Sequence, residues 1–201
     1  MRHPHRWMRT PPLLLALPFS LALLSAPVPA HAGQCAGVTL PDQLSIDGKS
    51  LLLNGMGLRE ATVLAIDVYV AGLYLPQRSK DGKAIAASEQ LKHLQLTLVR
   101  DVDTKDMVEN LERGFRRAAG ASYPKLAARF ERLKGWIPNL HEHDTFSVTY
   151  RPGAGLEVRH GQKLLGSIDG GDFATAIFSI WLGDRPADDD LKAGLLGGPC
   201  G

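Results

Sequence analysis

An α+β fold, with helices laid on an antiparallel sheet, is what the sequence predicts. Three observations predict it. Two long apolar segments, Lys49 to Leu58 and Ala61 to Leu75, read as strands. A helix pair follows in the middle of the chain. Three short alternating segments separated by turn residues then form a meander that leads into closing helices.

Val38 to Ile46 is a short strand region interrupted at Pro41-Asp42, and Asp47-Gly48 is a strong hairpin signal. In Ala61 to Leu75, the residues Val63, Ala65, Asp67, Tyr69, Ala71 and Leu73 share one face. Leu64, Ile66, Val68, Val70, Gly72 and Tyr74 share the other. Both faces are largely apolar, so both are expected to be covered. Ala84 to Gln90 reads as a short helix. His93 to Val99 alternates as a strand, with Leu94, Leu96 and Leu98 on one side.

Asp103-Thr104 begins a helix, with Thr104 as the candidate N-cap. Met107, Val108, Leu111, Phe115 and Ala118 recur at helical spacing, and Gly120 ends the run. A second helix covers Pro124 to Lys134. Thr145 to Tyr150, Gly155 to His160 and Lys163 to Ile168 are the meander strands. Phe173 to Trp181 is helical after Gly170-Gly171. The last helix starts near Pro186, with acids in its first turn that suit the helix dipole.

The N-terminus has a different character. Arg2, Arg6 and Arg9 precede the apolar run Leu13 to Leu24, and Ala30-His31-Ala32 is a small-x-small cleavage site. That is the pattern of a secretory signal peptide. Its apolar run of about a dozen residues is shorter than the roughly 20 of a spanning helix. The expectation is cleavage after Ala32, leaving one domain over residues 33–201 in the periplasm or outside the cell, with no transmembrane segment in the mature chain. Loss of residues 1–32 removes three arginines and no acid, so the formal charge of +2 becomes −1. A near-neutral domain has no electrostatic footprint for nucleic acid.

Export makes a disulfide between Cys35 and Cys200 plausible, and it would tie the two ends together. Loop entropy would make it worth up to ~5 kcal/mol. The spacing does not fit a zinc or CxxC redox site.

Candidate chemistry is sparse. Arg59 follows Gly55 and Gly57, which lack the third glycine of a dinucleotide fingerprint and instead permit a bulge or a close backbone approach. A guanidinium beside so apolar a strand needs an anion: a ligand, or a carboxylate such as Glu60 or Asp67. Asn110 lies next to the apolar stripe of its helix, on the side of Asp103 and Asp106. Tyr69 and Tyr74 lie on opposite faces of their strand, so at most one faces a given cleft. His141 and His143 share a face only on a strand and have no evident third ligand, so no metal site is expected; nor is any cofactor. Trp136 and Trp181 read as core.

The stretch LNGMGLREATVLAIDVYVAGLYLP, Leu53 to Pro76, resembles the corresponding segment of chalcone isomerase-like proteins, in particular their short secreted bacterial branch. SIWLGDRPADDDLKAGLLG is similar to that branch's closing helix-loop-helix, and MVENLERGF to the family helix that carries an asparagine. The resemblance implies a large antiparallel sheet covered on one face by helices, with a ligand cleft between the layers. Matched by position, Arg59 and Asn110 persist from the ring-closing isomerases. Tyr69 stands where a strand threonine is expected, Asp103 where a tyrosine is, and Ile180 or Ser179 at the last threonine. An acid in place of a phenol counts against isomerase activity.

Other relatives of the fold bind fatty acids through an arginine and a tyrosine, and Arg59 with Tyr69 would supply such a pair. Val63, Ala65, Ala71, Leu111 and Phe115 are the expected apolar lining. The resulting expectation is an exported protein that binds a small amphipathic or aromatic ligand, such as a fatty acid, through Arg59, Tyr69, Asn110 and Asp103. The alternatives are an isomerase acting on an enone-like substrate, with Arg59 as electrostatic stabiliser and Asn110 orienting the substrate, and a non-catalytic envelope module.

Overall fold

The computed structural model describes residues 32–61 and 66–200. The expected signal segment up to His31, and Val63 and Ala65 of the expected cleft lining, lie outside the described residues.

Strands β1 (Ala32–Cys35) and β2 (Val38–Pro41) form a hairpin of their own. The main sheet has seven strands in sequence order, all neighbours antiparallel: β3 (Gln43–Ile46), β4 (Lys49–Ala61), β5 (Ile66–Leu75), β6 (Lys92–Leu98), β7 (Thr145–Arg151), β8 (Gly155–His160) and β9 (Lys163–Ile168). Asp47 and Gly48, both at positive φ, make the turn between β3 and β4, as a two-residue hairpin requires. Helix α1 (Gly82–Ala87) joins β5 to β6. Helices α2 (Thr104–Ala119) and α3 (Tyr123–Lys134) join β6 to β7. Helices α4 (Gly171–Leu182) and α5 (Asp189–Leu195) close the chain.

The α+β expectation therefore holds in element order and in pairing. The helix that begins near residue 104 is capped differently from the expectation. Asp103 is the N-cap and makes no side-chain capping bond. Thr104 is the first helical residue, and its N–H and hydroxyl both donate to Asn139 Oδ1.

The sheet separates two apolar clusters. On the helix side, Tyr69, Ala71, Leu73 and Leu75 of β5, the leucines of β6, and Phe146 and Val148 of β7 pack under the helices. Phe115 and Phe130 stack there with centroids 4.1 Å apart. Helix α4 buries residues on every side, so it lies inside the helical layer, against α1, α2 and β8. On the opposite side, Val70 and Tyr74 of β5 join Leu51, Leu53 and Met56 of β4 beneath the β1–β2 hairpin. Both faces of β5 are thus covered, as its composition demanded.

Cys35 and Cys200 form a disulfide with Cα atoms 5.7 Å apart. Among the described residues, no helix is long and apolar enough to cross a membrane.

Candidate functional site

The site begins with two glycines. Gly55, Gly57 and Arg59 alternate onto one face of β4, and α5 lies on that face. A Cβ on Gly55 would stand 2.2 Å from the carbonyl oxygen of Gly194, and one on Gly57 would stand 2.4 Å from that of Leu191. The glycines therefore serve a close backbone approach, and a β4 side chain fits at neither position. Asn54 is the bulged residue of β4; its side chain bonds Ser79 and the carbonyl of Leu195, which ties α5 to the loop after β5.

Arg59 is the next residue on that face, and it reaches the start of α5. Its Nη1 donates to Asp188 Oδ2 at 2.9 Å and to the carbonyl of Glu60. Asp188 is the N-cap of α5, and its other oxygen accepts the N–H of Leu191 at 3.0 Å. The carboxylate partner of Arg59 is thus Asp188, not the side chain of Glu60 or Asp67. Nothing near Arg59 in sequence announces a residue 129 positions away.

Tyr69 pairs across the ladder with Arg59 and is 8% exposed. Its hydroxyl accepts a bond from Trp181 Nε1 at 3.0 Å. Indole N–H can only donate, so the phenol must accept here and its own proton is left over. No acceptor for that proton lies among the described residues. Burial raises the phenol's pKa above its ordinary value, although the Trp181 bond and Arg59 oppose the shift. Tyr69 is therefore a neutral donor at physiological pH.

The β4–β5 ladder skips Val68, which has no partner between Glu60↔Asp67 and Arg59↔Tyr69. This bulge breaks the strict alternation, so Ile66, Val68 and Tyr69 all line one cleft.

The cleft has a volume of about 470 Å³ and lies between the end of β4–β5 and helix α2. Its apolar wall includes Met107 and Leu111 of α2, Ile180 and Trp181 of α4, and Val102. Gly114 lets α2 approach α4, since a Cβ there would meet Ile180 at 2.7 Å. Of the expected apolar lining, Leu111 is present, whereas Ala71 and Phe115 are fully buried in the core away from the cleft. Asn110 is at the rim; its amide donates to the carbonyl of Asp106, and its oxygen accepts from Arg113.

The residues that sequence reasoning missed are Arg113 and Arg117, which also line the cleft. Their signal was available: positions 110, 113 and 117 fall on one helical stripe. A larger, shallower depression of about 620 Å³ lies beside the disulfide, but its buried polar side chain, Asn54, already has its bonds filled. His141 and His143 are exposed on a loop, and no group of three or more metal-ligating side chains gathers among the described residues.

The pattern of chalcone isomerase-like proteins matches residues 32–197. The chain belongs to the chalcone isomerase-like family. Among solved structures it is similar to a fatty-acid binding protein of Arabidopsis thaliana, at 19% identity and a TM-score of 0.61, covering 80% of this chain and 92% of that one. A search of curated proteins found no match. Of the positions matched to the ring-closing isomerases of this chalcone isomerase-like family, Arg59, Tyr69, Asn110 and Ile180 line the cleft. Asp103 does not; it sits exposed at the N-cap of α2.

Proposed function

We propose that this chalcone isomerase-like protein binds a small amphipathic anion, such as a fatty acid, in the cleft between sheet and helices. The observation that carries the reading is the chemistry of the lining. Its walls are apolar, and its only charged members among the described residues are the arginines Arg59, Arg113 and Arg117. A concave apolar site with a few convergent donors suits a ligand with a chain and a negative head. The unspent Tyr69 proton and the unengaged edge of the Arg59 guanidinium supply donors for a carboxylate at the buried end. The likeness to a fatty-acid binding protein is in keeping with this. The N-terminal pattern of Arg2 to Ala32 adds that the protein acts after export, in the periplasm or beyond.

Calorimetry with dodecanoate tests the reading. Wild-type protein is expected to bind one equivalent. Tyr69→Phe is expected to weaken binding by about 1 kcal/mol, as for one hydrogen bond. Arg59→Ala is expected to weaken it more while the circular dichroism spectrum is kept. Unchanged affinity in both variants would refute the assignment.

A further inference from the structure

The cleft has polar groups at two depths. Tyr69 and Trp181 are 8% and 4% exposed, and Arg59 beside them is mostly buried. Arg113, Arg117 and Asn110 are exposed at the opposite, helical wall. The two sets also differ in how their charge is met. Arg59 is already paired with Asp188. Among the described residues no carboxylate lies within ion-pair distance of Arg113 or Arg117, although every Asp and Glu side chain of the chain is described.

Their neighbour Arg116 is an internal control. It lies on the same helix, points away from the cleft, and is paired with Glu112. Two arginines four residues apart on a helix repel each other unless an anion sits between them. Arg117 falls in the last turn of α2, where the helix dipole favours a cation. Arg113 does not, and its guanidinium is held in place through Asn110, whose amide is anchored on the carbonyl of Asp106. Three guanidiniums in the lining against the one carboxylate of Asp188 leave two positive charges unmet.

We infer that the ligand carries two acidic groups, one at each end of an apolar chain. The inner acid meets Tyr69 and Arg59, and the outer acid is clamped by Arg113 and Arg117. Asn110 is then a positioning residue for Arg113. This rests on the cleft-binding reading above and names the class of ligand more narrowly.

The test is titration of wild-type protein and the double variant Arg113→Gln/Arg117→Gln with straight-chain acids. Each monoacid from decanoate to hexadecanoate is compared with the diacid of equal length. At the best length the diacid is expected to bind wild type about tenfold more tightly than its monoacid, which is the scale of one well-placed charge pair. The double variant should lose that advantage, so that it binds the diacid and the monoacid of equal length alike. Equal affinity for both acids at every length, or a diacid preference that survives in the double variant, would overturn the inference and leave the cleft reading standing. Binding of neither series to wild type would overturn both.

Discussion

At the scale of single residues, the sheet face away from the helices holds a group with a measurable pH signature. His93 is buried on β6, with its Nδ1 2.8 Å from Thr149 Oγ1. Burial, helped by Arg151 and only partly opposed by Glu157, pushes its imidazole down to about 4. The unfolded chain binds that proton near pH 6.5, so folding favours the neutral ring. Its contribution is complete above pH 6.5 and is lost as pH falls from there towards 4, by up to about 3 kcal/mol. Urea midpoints measured across that range should fall steeply in wild type and less steeply in His93→Gln. Parallel curves would mean that other groups cause the acid sensitivity. Residue-scale facts of this kind were the least legible in the sequence. Arg59 announced the need for a partner, but Asp188 became its partner only once α5 was folded onto β4. Lys92 stands just before the strand expected from His93 and carried no signal in the sequence, yet it is buried and donates to the carbonyls of Ile85, Ala86 and Ser88 at the end of α1.

At the scale of elements, the pattern of apolar residues was enough to place strands and helices, because burial on one face imposes a period of two or of 3.6. The meander, the amphipathic α2 and the hairpin at Asp47-Gly48 were all legible for that reason. The bulge at Val68 was not, since one extra residue leaves no mark in composition; it is what brings Ile66, Val68 and Tyr69 to one cleft. Gly57 shows how an element sets the site. Gly57→Ala would drive a methyl into the backbone of Leu191 and force α5 off β4. The expected cost is about 1–3 kcal/mol, the usual price of overpacking. Because α5 carries Asp188, the same variant should weaken ligand binding although it touches no ligand. A Gly57→Ala protein with wild-type stability would show that β4 and α5 do not pack as described.

At the scale of the whole molecule, the disulfide joins β1 to the tail that follows α5 and closes a loop of 165 residues. It holds the hairpin on one side of the sheet and α5 on the other. In the loop-entropy model such a closure contributes up to ~5 kcal/mol. Cys35→Ser/Cys200→Ser should therefore unfold at clearly lower temperature than the oxidised protein, and reductant should have no further effect on it. Equal midpoints would mean that the tail is secured by packing alone. The fold itself was legible from element order and from the Leu53 to Pro76 stretch. The cleft was legible only in part, because Arg113 and Arg117 of its rim have no carboxylate partner among the described residues that would single them out in the sequence.

An amphipathic anion held in this cleft should stay with the protein purified from its own host and be visible by native mass spectrometry. The expected result is a stoichiometric adduct that denaturing extraction identifies as an acidic, chain-bearing molecule, and that is absent from Arg59→Ala purified in the same way. A wild-type protein that arrives empty and takes up no such anion when it is supplied would show that the cleft is not an anion-binding site.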